Sequence, residues 1–318
     1  MKTLKKERKQ ITRKRTILNF ALVAIIGIGT GLFLGSWYSY AFLSNTIDYS
    51  GYTEDALLDN LDNTLKKATK LNNLSESDKQ NWVSIAKQKG VSPKNLATYE
   101  NVALAEYNLK NASSYKMYGT GKVETIANQT VYSVKYFDGN TYMFESISKG
   151  ILTVADAFTM EKGGNTVTKI AGQNVSDTHA DWTGTKTTIS TTEFKANNGL
   201  LPSEVMAYLI SSKTTKTSSG ITETTGENNK KLYSFSLTLD PVSSVVNYVK
   251  QVKQTSGLSD YPTFDDITLN FTLDEDWNFV TFNLVENYRV PYGGLKPKCK
   301  GTLNYTFEIN VPITLPAH

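Results

Sequence analysis

One cysteine, Cys299, in a chain of 318 residues excludes an intrachain disulfide, so the fold must be held by its core. Proline is scarce, at eight residues, and histidine stands only at His179 and His318. Neither histidine has a Ser, Cys or acidic neighbour at the spacing of a catalytic triad or of a His-Glu-x-x-His metal helix. Asp274, Asp276 and Asn278 imitate the start of a calcium loop. Phe279 and Val285, however, stand where Gly and a bidentate Glu are required, so a polar hairpin turn is expected there. The Gly-x-Gly at Gly27 and Gly29 falls inside an apolar run and cannot cradle phosphate. Cys299 lies among Lys296, Lys298 and Lys300 without a second Cys or a His, and reads as an incidental loop cysteine. The sequence therefore predicts a protein that is not an enzyme, with no cofactor and no metal site.

Charge is unevenly placed. Lys2, Lys5, Lys6, Arg8, Lys9, Arg13, Lys14 and Arg15 crowd the start of the chain, against Glu7 alone. The net charge of +4 and the pI of 8.8 come from that cluster. The remainder is mildly acidic, with no electrostatic footprint for nucleic acid.

Residues 16–47 carry no charged side chain, and residues 17–34 are apolar apart from Asn19 and Thr30. At ~1.5 Å per residue such a run crosses most of a ~30 Å hydrocarbon core. The pattern predicts a cytoplasmic basic segment over residues 1–15 and an anchor in the lipid bilayer over residues 16–43. The protein is then a single-pass cell-membrane protein, its N-terminus cytoplasmic and the rest extracytoplasmic. Trp37, Tyr38, Tyr40 and Phe42 form an aromatic belt at the outer interface. The rival is a cleaved signal peptide, with small residues at Ser39 and Ala41, but signal h-regions are shorter. Gly27, Gly31 and Gly35 recur on one face of the span and offer a helix-packing surface for a homodimer, although glycine is common in membrane helices anyway.

Residues 44–112 read as a helical region. Leu57, Leu58, Leu61, Leu65, Ala68 and Leu71 form one stripe, Ser77 with Gln80 reads as a capping box, and Ser92-Pro93 opens a further helix. From residue 113 to 318 the period becomes alternating. Strands are expected over residues 116–126, 131–137, 141–147, 152–160 and 166–170, the second and third joined by Asp138-Gly139. Pro202 and Asp240-Pro241 each suggest a helix start, and the polar residues 211–230 a mobile loop suited to act as a lid.

The last third alternates strictly. Tyr233, Phe235, Leu237 and Leu239 form one row, and Ile267, Leu269, Phe271 and Leu273 the next. Val280, Phe282, Leu284, Tyr288 and Val290 follow, then Leu303, Tyr305, Phe307, Ile309 and Val311. One buried and one wet face is the habit of antiparallel sheets. The predicted fold class is α+β: an N-terminal transmembrane helix, then a large twisted antiparallel sheet, a half-barrel, with helices packed on one face.

This order resembles the LolA/LppX-like superfamily of bacterial lipoprotein and lipid carriers, over roughly residues 96–309. The resemblance is carried by AEYNLKNASSYKMYGTGKVET (105–125), KYFDGNTYMFE (135–145), YSFSLTLDPVSSVVNYV (233–249) and FDDITLNFTLDEDWN (264–278). It implies an unclosed barrel curled around helices, with an apolar concavity for acyl chains. A membrane anchor in place of a lipidated or free N-terminus departs from that pattern and puts shuttling between membranes in doubt.

Parity places Glu286 in the inward row with Phe282, Leu284 and Tyr288, where an acid is costly unless paired or wet. Glu286 is thus either a structural partner of a buried group or a polar contact in a cavity. Glu286, Tyr288, Phe282 and Tyr305 are the expected ligand-binding residues. Two functions follow. One is a membrane-anchored binding protein holding a lipid or lipoprotein-like ligand, or a partner peptide. The other is a structural or regulatory envelope protein whose core is filled by its own side chains.

Overall fold

The computed structural model describes residues 61–71, 73–124, 128–149, 153–249, 260–290 and 296–318. Among the described residues four helices come first: α1 (Leu61–Thr69), α2 (Glu76–Gln80), α3 (Trp82–Gln88) and α4 (Thr98–Lys110). Ser75, not Ser77, caps α2, in a reciprocal box with Asp78. Ser92-Pro93 opens only a 3-10 turn, Pro93–Asn95; the Glu100 carboxylate then accepts from the Ala97 N–H at 2.8 Å to start α4.

The strands follow as β1 (Tyr115–Glu124), β2 (Gln129–Phe137), β3 (Thr141–Lys149), β4 (Thr153–Glu161), β5 (Thr166–Ala171) and β6 (Lys186–Ser190). Next come α5 (Thr191–Asn198), β7 (Thr215–Ser218), β8 (Thr222–Thr225) and β9 (Lys231–Leu239). Last are β10 (Thr263–Asp274), β11 (Phe279–Arg289) and β12 (Lys298–Ile309). All pair antiparallel in one sheet ordered β6-β5-β4-β3-β2-β1-β12-β11-β10-β9-β7, with β8 also on β9. The β2–β3 turn is the expected Asp138-Gly139: Gly139 takes a φ of 104°, and the Asp138 carboxylate accepts from the Asn140 and Thr141 N–H groups.

The inner rows of β9 to β11 are buried as predicted, and they share one hydrophobic core with Leu65, Trp82, Leu104 and Leu109 of the helices. A bulge between Thr272 and Leu273 puts Phe279, not Val280, in the row. The hairpin turn Asp274–Asn278 ties the two layers together. Asp274 Oδ1 accepts from the N–H groups of Asp276 and Asn278, and Trp277 between them takes a φ of 55°. That conformation buries the indole edge-on against Trp82, with centroids 4.9 Å apart.

The expectation of an α+β fold led by a transmembrane helix is corrected. The described chain is mostly one large antiparallel sheet with few helices, and no helix among the described residues is long and apolar enough to cross a membrane. The predicted anchor, its Gly27, Gly31 and Gly35 face and the homodimer inferred from it lie outside the described residues.

Three further expectations change. Pro202 starts no helix, because the chain runs as an irregular strap there. After Asp240-Pro241 the 3-10 turn Ser243–Val245 forms first and the chain is helical only at Tyr248 and Val249, before residues 250–259, which are outside the described set. Residues 211–230 are no loose lid: they supply β7 and β8, and Glu223 bridges Lys94 and Lys231. The outer face is also not uniformly wet. Ala180, Trp182, Ile313 and Leu315 cover it over β2 to β5, against Val134, Met143, Ile147 and Ile170.

Candidate functional site

An apolar cavity of about 90 Å³ lies between the inner face of the sheet and residues 199–210. Ser190 caps α5 by accepting from the Glu193 N–H, and Gly199, at a φ of 77°, ends it in the left-handed conformation that lets the chain double back. The strap then supplies Leu201, Pro202, Val205, Met206, Ala207 and Tyr208 as the roof. Met117, Lys135, Phe144, Phe158, Phe282, Leu284, Leu303 and Tyr305 form the floor, drawn from six strands. Glycine shapes that floor: a Cβ at Gly119 would overlap the Tyr305 ring, which lies across β1 in its place.

Glu286 is wholly buried behind this cavity. The hydroxyl of Tyr208, from the strap, donates to its carboxylate, and that of Tyr248 stands 3.3 Å from Oε1. Burial raises the Glu286 carboxyl to about 7, and the two tyrosine donors hold it from rising further. Both tyrosine hydroxyls are pushed well above their usual range, by burial and then by the nearby carboxylate. Their rings lie 5.1 Å apart, and Tyr248 contacts Phe264 in turn. The group fastens the strap and the segment around Tyr248 to β11.

Lys135 is the other polar feature. Its ammonium donates to the Glu204 main-chain carbonyl beneath the strap and lies 5.2 Å from the Phe144 ring centroid. Burial lowers its pKa to about 8. Burial likewise raises the Tyr305 hydroxyl, which reaches Ser133 on the same floor, to about 12.

The structure brings together part of the predicted site. Phe282 and Tyr305 line the cavity, while Glu286 stands one layer behind, in contact through Tyr208 and Tyr248. Tyr288 does not line it; its ring stacks on Phe264 at 5.3 Å, and it pairs across the ladder with Cys299. Cys299 is buried in β12 rather than exposed in a loop. Sequence reasoning missed Lys135, Met117, Phe144 and the strap. Lys135 could have been found by parity, since it shares a row with Val131, Ser133 and Phe137 in β2. His179, beside Asp181, and His318 are exposed.

No protein-family model and no curated protein matches the chain. Among solved structures the fold is similar to that of a LolA superfamily protein from Nitrosomonas europaea. The identity is 9%, the match covers 70% of this chain and 96% of that one, and the TM-score is 0.24. It is also similar to a porin-like protein from Bacteroides uniformis, at 13% identity over 63% of this chain and 98% of that one, with a TM-score of 0.21.

Proposed function

We propose that this chain is an extracytoplasmic, non-catalytic binding protein that holds an apolar, lipid-like ligand between the sheet and the strap. The carrying observation is the cavity: aromatic and aliphatic walls from six strands, roofed by a segment that forms no strand. At about 90 Å³ the space is well below the ~300–1,000 Å³ of sites that bury a drug-sized molecule. It receives a short apolar group as it stands, and a longer chain once the strap lifts. Burial contributes ~0.8 kcal/mol per methylene, so a handful of methylenes gives useful affinity before ordering costs. The export part of the reading rests on the basic cluster and apolar run of residues 1–43.

The test is native mass spectrometry of the full-length chain, purified without alkyl detergents, followed by organic extraction. A stoichiometric adduct of acyl-chain mass is expected, and Val205→Trp, which fills the cavity from the half-buried strap, should abolish it. One observation favours the structural alternative. Away from the cavity the inner face is filled by Trp82, Trp277, Leu65, Leu104 and Leu109. A chain that emerges empty, and stays empty when offered acyl ligands, is that kind of envelope protein.

A further inference from the structure

Lys135 is a poor choice for an apolar wall unless something anionic meets it there. An ammonium has three donors, and burying it unpaired is expensive. Here the ammonium donates to one neutral carbonyl, that of Glu204, and the facing ring is Phe144. The Glu204 side chain is engaged elsewhere: one oxygen pairs with Lys195 Nζ at 2.5 Å, and the other accepts from the Leu201 N–H at 2.7 Å. Two lysines therefore share a single carboxylate, and the cavity rim keeps one positive charge in excess. Among the described residues Glu204 is the acid that bears on the Lys135 ammonium, and Tyr305 nearby is uncharged over the ordinary pH range.

Beside that charge the wall toward β11 is mainly apolar, interrupted by the Ser133 and Tyr305 hydroxyls, which pair with each other. From β2 the sheet order runs through β1 and β12, and Lys135 pairs through Met117 with Phe307 whereas Leu284 pairs with Leu303, so Lys135 and Leu284 lie roughly 14 Å apart across the strands and about 13 Å apart along them. Met117, Leu303 and Tyr305 lie along the way. A cation at one end of an apolar track is the recognition pattern of a single-chain amphiphile with a monoanionic head. Resting on the binding role argued above, we infer that the ligand is a medium-chain carboxylate, its head group on Lys135 Nζ and its tail running under the strap toward Leu284. The carboxylate would take over donors that the Glu204 carbonyl leaves unused, in a charge-assisted pair.

The experiment is displacement of a fluorescent fatty acid from the full-length chain by decanoate and by decanol, at neutral pH. Decanoate is expected to bind about tenfold tighter or more, and Lys135→Met, which keeps the apolar stem, should erase the difference between the two ligands. Calorimetry on the unmutated chain supplies a readout independent of that variant's folding. Near pH 8, decanoate binding should take up protons, because the partner anion raises the Lys135 pKa, and decanol binding should not. Equal affinity for the acid and the alcohol, or a preference that survives in Lys135→Met, overturns this inference and leaves the binding role standing. Failure of both ligands to bind overturns the binding role as well.

Discussion

Glu286 and Gly301 face each other across the β11–β12 ladder, and the glycine leaves the room that the acid occupies. A Cβ on residue 301 would lie 2.9 Å from Glu286 Oε1 and 3.0 Å from its Cγ. Glu286 cannot swing away, because Tyr208 and Tyr248 hold its other side. Gly301→Ala should therefore destabilise the domain by about 1–3 kcal/mol through overpacking. Urea unfolding measures it, and the loss should shrink in a Glu286→Ala background, where the clashing atoms are gone.

The same acid imposes a pH dependence. Its folded-state pKa of about 7 lies above the usual 4.5, so the folded chain binds this proton more tightly than the unfolded chain. The contribution to stability is then greatest below the unfolded value, falls as pH rises through this window, and levels off above it. The full span is on the order of 3 kcal/mol. Glu286→Gln, which imitates the protonated acid, should remove that slope. Comparing the two proteins' unfolding midpoints at about pH 5 and about pH 8 checks the sign, with the variant gaining relative stability at the higher pH.

Asn101 and Trp277 dock the helices on the sheet. The indole Nε1–H donates to Asn101 Oδ1 at 2.8 Å, while the Asn101 amide donates to the Pro93 and Ala97 carbonyls at 3.0 and 3.1 Å. Both residues are fully buried. Asn101→Ala leaves the buried indole N–H unpaired, at about 1–3 kcal/mol, while the Pro93 and Ala97 carbonyls keep the N–H groups of Leu96 and residue 101. Trp277→Ala adds a large void and should cost about 3–5 kcal/mol. Neither change should alter ligand preference, since the cavity lies elsewhere on the inner face. Unfolding curves and a displacement assay together separate the two effects.

The strands were legible because their instructions are local. Phe235, Leu237, Ile267 and Leu269 alternate with short polar residues, and Asp138-Gly139 satisfies a turn that needs a positive φ. The strap was not legible. Pro202, Val205, Met206 and Leu209 have helical spacing, but the hydrogen bonds that decide their course come from Lys135 and Glu286, which are distant in sequence. Thr215 to Thr225 looked too polar to order. Their β-branched side chains suit an edge, and β9 offers its ladder to both β7 and β8. Half of the candidate site was visible for a related reason: Phe282 and Tyr305 sit in rows that parity reveals, whereas the cavity exists only where the strap crosses them.

Tyr208→Phe tests whether the strap is fastened through Glu286. The hydroxyl is lost while the ring keeps its place against Tyr248. Glu286 is then left with one tyrosine donor instead of two, so a force that lowers its pKa disappears while burial stays. Its pKa should move above the present value of about 7, and the decline of stability should extend to higher pH. The strap should loosen as well, held then by the Lys135–Glu204 carbonyl contact, the Glu204–Lys195 ion pair and the Leu209 N–H to Ser244 carbonyl bond of 2.9 Å. Hydrogen exchange should therefore quicken in residues 199–210 and stay unchanged in β10 and β11. Exchange that quickens equally across the sheet would show a general loss of stability, and Glu286 would be a core acid with no hold on the cavity's roof.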